Sequence, residues 1–148
     1  MPISVRFVVP GQPVAKGRPI AGKGFGGHTT LRTPEKTLAY EGLVAKMAYE
    51  AMAGRPPLTG ALSLTLEVGV QIPKSLMTKS KMHKVINGEI APTKKPDLDN
   101  IVKGICDGMN QVAYADDSQI VEMSVRKVYA QTPGVQVTLR VLNIEAAS

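Results

Sequence analysis

The chain has 148 residues, of which 43% are hydrophobic and 20% charged. That composition fits one globular domain around a single core and excludes two large domains or a disordered chain. No apolar run approaches the ~20 residues of a membrane span, and the amino terminus lacks the charged-then-apolar layout of a signal peptide. The lone Cys106 has no internal disulfide partner, so a cytoplasmic protein is expected.

Eighteen Lys and Arg against twelve Asp and Glu give a net charge of +6, the sign that suits a polyanionic partner such as nucleic acid. The excess is local. Between positions 74 and 95 stand Lys74, Lys79, Lys81, Lys84, Lys94 and Lys95, with Glu89 the only acid. All the aspartates follow directly: Asp97, Asp99, Asp107, Asp116 and Asp117. A compact acid cluster abutting a basic tract suits a protein that holds cations against phosphates.

In chain order, residues 3–9 are β-branched and apolar before Pro10-Gly11, which predicts a strand closed by a turn. Residues 11–33 carry six glycines and two prolines together with Lys16, Arg18, Lys23, His28 and Arg32, and read as a mobile, basic, glycine-rich loop. Thr33-Pro34-Glu35 supplies an N-cap, a proline at the first helical position and an acid in the first turn. A helix is predicted from there to about Ala53, with Leu38, Leu43, Val44, Met47 and Met52 toward the core. Leu62, Leu64, Leu66, Val68 and Val70 alternate with other residues as a half-buried strand over 61–70.

Residues 75–87 predict a short lysine-rich helix or turn, and Lys95 should be extended ahead of Pro96. A second long helix over 99–111 puts Ile101, Val102, Ile105, Cys106 and Met109 on one side, and Asp99, Lys103, Asp107 and Asn110 on the other. Residues 118–129 and 135–143 alternate as strands, and Gln131-Thr132-Pro133-Gly134 between them predicts a hairpin. The expected fold is a single α+β domain over 1–148, a mixed β-sheet with helices packed on it.

Asp97 and Asp99 stand two residues apart where an extended segment enters a helix, so both carboxylates can project to one side and share a cation. Mg²⁺ takes hard oxygen ligands, often only one or two carboxylates, and leaves room for water and phosphate. An isolated Asp-x-Asp is more often a helix cap beside a solvated acid. Here Asp116 and Asp117 add a second pair, at a chain distance that one helix and a return loop can close. Several unpaired carboxylates brought together repel unless a divalent ion neutralises them. Lys103, one helical turn after Asp99, can pair with that carboxylate or reach a phosphate.

Other chemistries fail on their details. Gly17 to Gly24 nearly matches a phosphate-binding P-loop, but Gly24 stands where Ser or Thr should hold Mg²⁺, so no nucleotide cofactor is expected. His28 and His83 lack partners at zinc-ligand spacing. No serine nucleophile elbow is present, and Cys106 reads as a small core residue. Two Phe and four Tyr are too few for a single-strand stacking platform. Phe25 is a candidate wedge into distorted DNA, or a loop anchor. Gly104 and Gly108, four apart in a helix, imply that a neighbouring strand, or the equivalent helix of a second subunit, approaches closely there.

Lys94-Lys95-Pro96-Asp97-Leu98-Asp99-Asn100, then Lys103, then Asp116-Asp117-Ser118-Gln119-Ile120-Val121, resembles the RusA family of Holliday junction resolvases of phages and prophages. The likeness extends to Lys16-Gly17-Arg18-Pro19, Thr33-Pro34 and Asn87-Gly88-Glu89, so it covers most of the chain. It implies a RusA-like fold and a homodimer that uses Mg²⁺, or Mn²⁺ in its place, to nick opposing strands of a four-way DNA junction. Carried over by position, Asp97, Asp99 and Asp117 are the metal-binding catalytic acids, with Asp116 the alternative to Asp117, and Lys103 is the catalytic lysine. Lys16, Arg18, Lys23, Lys74, Lys79, Lys81, Lys84, Lys94 and Lys95 are then expected to hold the DNA arms through backbone contacts. The competing classes are a non-catalytic, basic DNA-architectural protein and a metal-dependent nuclease of other branched DNA or of RNA.

Overall fold

The computed structural model describes residues 3–147, with the side chain of Phe25 outside that description. Strand β1 (Ser4–Pro10) buries Val5, Phe7 and Val9 and turns the residues between them outward, the period of two expected from its sequence. After a small antiparallel hairpin, β2 (Ile20–Lys23) with β3 (Thr29–Arg32), the chain forms α1 (Glu35–Met52), β4 (Leu62–Gln71), α2 (Lys79–Ile86), α3 (Leu98–Met109), β5 (Ile120–Ala130) and β6 (Gly134–Val141). The main sheet has the order β1-β6-β4-β5; β6 runs antiparallel to both its neighbours, and β5 is parallel to β4. This is the expected α+β architecture. No helix among the described residues is long and apolar enough to cross a membrane.

Three local expectations are corrected. The segment 11–33 is not irregular throughout: Ile20–Lys23 pairs with Thr29–Arg32, and Gly26 and Gly27 take the positive-φ turn between them. The β-branched Thr29 and Thr30 favour the strand that the glycine count concealed. Pro34, rather than Thr33, occupies the N-cap of α1. The buried face of α1 is Thr37, Tyr40, Val44, Ala48 and Met52, while Leu38 is 55% exposed. The helix is turned so that Thr37 Oγ1 accepts the Gly17 N–H at 2.9 Å, which sends Leu38 outward.

The third correction concerns β5 and β6, which are not a hairpin. β4 lies between them, paired on one side from Leu62↔Ile120 to Gln71↔Ala130 and on the other from Leu62↔Val141 to Gly69↔Gly134. The connection crosses the end of β4 where only glycine fits, since a Cβ on Gly69 would stand 2.8 Å from Ala130 Cβ and 3.2 Å from the Gly134 carbonyl. Alternation marks a strand but does not say which strand it joins.

The core is one cluster that combines inward residues of β1, β4 and β6 with Val44, Ala48 and Met52 of α1 and Ile101, Ile105 and Met109 of α3. Gly108 lets the helices meet: a Cβ there would lie 2.6 Å from Val44 Cβ and 2.9 Å from the Glu41 carbonyl. The close neighbour expected at this glycine, a strand or the equivalent helix of a second subunit, is instead α1 of the same chain. Gly104 faces the Val14 carbonyl, 3.8 Å from its would-be Cβ.

Candidate active site

Helix α3 and the chain just before it carry the acids. Pro96 follows a cis peptide bond and Asp97 occupies the N-cap of α3 with extended backbone. Lys127 of β5 donates from Nζ to the carbonyls of Lys94 (2.8 Å) and Pro96 (2.9 Å), which fastens this loop to the sheet. From the other side, the Lys16 N–H donates to the Asn100 carbonyl at 3.0 Å. The segment 16–19 thereby forms one wall of a cleft of about 510 Å³, whose opposite wall is Asp97, Asp99, Asn100 and Lys103.

Asp97, Asp99 and Lys103 are exposed on this cleft, as their spacing predicts. Although Asp97 is the N-cap residue, its carboxylate makes no capping bond and no other hydrogen bond or ion pair among the described residues. One oxygen of Asp99 accepts the Asn100 N–H at 2.9 Å. Two exposed carboxylates with free oxygens on one cleft are a hard-oxygen donor set, and their chemistry fits a divalent ion such as Mg²⁺.

Asp116 and Asp117 lie elsewhere. The Asp116 carboxylate caps the 3₁₀ turn Asp117–Gln119, accepting the Ser118 N–H at 3.1 Å, and that hydrogen bond holds it below the usual carboxylate range. Gln119, which the motif includes but to which the sequence assigns no role, fixes the turn with both ends of its amide. Its Oε1 accepts the N–H groups of Ala115 (2.9 Å) and Asp116 (3.1 Å), and its Nε2 donates to the carbonyls of Leu58 (3.0 Å) and Gly60 (3.1 Å). Asp117 is exposed and carries no such duty.

The expectation that Asp117 or Asp116 shares a cation with Asp97 and Asp99 within one chain is not met. Among the described residues, no group of three His, Cys, Asp or Glu side chains is placed to hold a metal ion. The reason is the length of α3. Twelve residues span about 18 Å; Asp97 stands at the start of the helix, whereas the charge of Asp117 acts on Cys106 and Tyr114 near its end. β5 repeats the separation. It begins at Ile120, beside the Asp117 turn, and Lys127, which holds the Asp97 loop, is seven residues or about 23 Å further along.

The basic residues divide in two. Arg18, Lys23, Lys74, Lys79, Lys81, Lys84, Lys94 and Lys95 are exposed. Lys16 is tied instead to Asp107 and, at 3.3 Å, to Glu41, an arrangement that raises its pKa chiefly through the Asp107 hydrogen bond. Its charge is neutralised where it was expected to meet DNA. Cys106 is buried, and burial pushes its thiol up to about 11, so it is a core residue and no nucleophile. Its carbonyl accepts the Tyr114 hydroxyl at 2.7 Å. Lys127 carried one signal in the sequence: Arg126-Lys127 places consecutive cations in a strand, so one of them must project from each face.

The chain matches the family described as Endodeoxyribonuclease RusA over residues 10–140. It is also 40% identical over 139 residues to the uncharacterized protein YqaN of Bacillus subtilis (strain 168), an alignment that covers 92% of this chain and 95% of that protein.

Proposed function

The chain belongs to the endodeoxyribonuclease RusA family, nucleases of DNA metabolism, and from that premise we propose that it is a divalent-metal-dependent enzyme that resolves four-way DNA junctions by paired nicks, acting as a homodimer. One observation carries the reading: Asp97 and Asp99 share a cleft with Lys103, and the Asp97 carboxylate is left free at a helix N-cap that it could have capped. Asp97 and Asp99 would hold Mg²⁺ or Mn²⁺. The ion supplies Lewis-acid stabilisation of phosphate charge and a lowered pKa for the attacking water.

The remaining work falls to the chain's own groups. Lys103, on the same wall as Asp99, stabilises charge that develops on the scissile phosphate, and the ends left are 5′-phosphate and 3′-hydroxyl. Arg18, Lys23, Lys74, Lys79, Lys81, Lys84, Lys94 and Lys95 hold the arms through backbone phosphates, reading shape rather than sequence.

A second copy accounts for Asp117. β5 is an edge strand, with Val121 60% and Met123 46% exposed, and β4 is its only strand neighbour among the described residues. Two β5 edges laid antiparallel about a two-fold axis at Ser124 set Glu122 against Arg126 of the partner subunit. The same pairing carries Asp117 of the partner subunit past Val128, to the end of β5 where the Asp97 loop is held. Each cleft then receives its third carboxylate from the other copy, and the two-fold supplies two sites for two nicks.

The test compares nicking of four-way junction, flap, duplex and RNA substrates with Mg²⁺, for wild type and Asp97→Asn. Junction-selective nicking that Asp97→Asn abolishes is expected. Binding without any cleavage would favour the architectural class, and equal cleavage of flap or RNA would assign a different substrate.

A further inference from the structure

Lys127 lies outside every group given a role in metal or DNA binding, yet its ammonium bonds to the loop that leads into Asp97. Its half-buried ammonium donates to two backbone carbonyls of one loop, those of Lys94 at 2.8 Å and Pro96 at 2.9 Å. Pro96 directly precedes Asp97. No carboxylate pairs with Lys127 among the described residues, where the only ion pairs are those of Lys16.

A long cationic side chain held against neutral carbonyls gives up conformational freedom and part of its hydration. Solvation alone does not account for that arrangement. Proline has no N–H to donate, so residue 96 cannot anchor itself to the sheet through its own backbone nitrogen. A donor reaching in from β5 supplies the anchor.

We propose that Lys127 is the positioning residue of the acidic loop: it pins the Lys94 and Pro96 carbonyls to β5 and thereby presents the Asp97 carboxylate to the cleft. The proposal rests on the metal-site reading for its consequence but not for its geometry. Loss of the anchor leaves the carboxylates in place chemically and lets the loop wander. Loss of a group that orients a metal ligand typically costs about 10–100-fold in metal affinity or activity.

The experiment uses the full-length metal-free protein, comparing wild type with Lys127→Met and Lys127→Arg. Backbone ¹⁵N order parameters of Lys94, Lys95 and Asp97 should fall from about 0.85 to below about 0.6 in Lys127→Met, with the carbonyl ¹³C resonances of Lys94 and Pro96 displaced. Mn²⁺ affinity by titration should drop about 10–100-fold, while four-way-junction affinity measured in EDTA stays within about twofold. Lys127→Arg, whose fork can serve the same two carbonyls, should recover most of both, and it decides the matter if the methionine variant does not fold.

Unchanged order parameters and Mn²⁺ affinity in Lys127→Met would overturn the proposal. So would lost junction affinity with Mn²⁺ binding intact, which marks a phosphate contact, or an arginine variant no better than methionine. If wild type and Asp97→Asn take up Mn²⁺ equally poorly, the metal-site reading fails, and the order parameters still decide the role of Lys127.

Discussion

Gly108 of α3 lies directly on Val44 of α1, so close that a Cβ on the glycine would come within 2.6 Å of the valine's own. This contact sets the approach of the two helices and holds α3 against the core. Gly108→Ala gains about 1 kcal/mol of helix propensity and meets an overpacking cost of about 1–3 kcal/mol. The net is a loss of stability, visible as a lower urea midpoint. Gly42 of α1 has nothing within 4 Å of its would-be Cβ, so Gly42→Ala should raise stability by about 0.4–1 kcal/mol. Equal midpoints for the two variants would mean that the helix crossing is not close.

Asp97→Asn should reduce junction nicking by more than the roughly 100-fold typical of losing an outer-shell partner. Junction affinity in EDTA should stay level or rise, because a charge that repels phosphate is gone. Nicking at the wild-type rate would remove Asp97 from the site.

The placement of Asp117 at the far end of α3 gives a complementation test. Asp97→Asn and Asp117→Asn proteins should each be inactive alone, and co-refolding them should restore single nicks. In the mixed dimer, one cleft joins an intact Asp97 to the intact Asp117 of the partner subunit. If all the acids of a site came from one chain, every cleft in the mixture would carry one lesion and no activity would return.

Salt dependence separates Lys16 from its neighbours. Each phosphate contact contributes close to one unit to the slope of log K against log salt. Lys95→Met should reduce the slope for junction binding by about one. Lys16→Met should leave it unchanged, because Glu41 and Asp107 already neutralise that ammonium. A reduced slope for Lys16→Met would show that the ion pairs open when DNA binds.

What could be read in advance was what the local pattern determines. Val5, Phe7 and Val9, the Leu62-to-Val70 alternation and the apolar side of α3 identify their elements because burial imposes a period that the sequence must carry. Asp97, Asp99 and Lys103 share a wall because they are neighbours on one helix end, a placement that spacing alone supplies. Strand partnership is not local, so β5 and β6 read as a hairpin although β4 separates them. Asp117 was expected beside Asp97 because their chain distance permits it, but the connecting element is a twelve-residue helix that holds its ends apart. Lys127 and Gln119 act through side chains that bond to distant carbonyls, and no periodicity records such bonds.

The pairing of β1 with β6, from Ser4↔Arg140 to Pro10↔Gly134, ties the first strand to the last. On the ribosome, at roughly 5–20 residues per second, β1 emerges many seconds before its neighbour exists. Val5, Phe7 and Val9 meanwhile have no sheet to join. Contacts between such distant positions form slowly, so the nascent chain presents an apolar strand that a holding chaperone or an aggregating neighbour can seize until β6 has emerged.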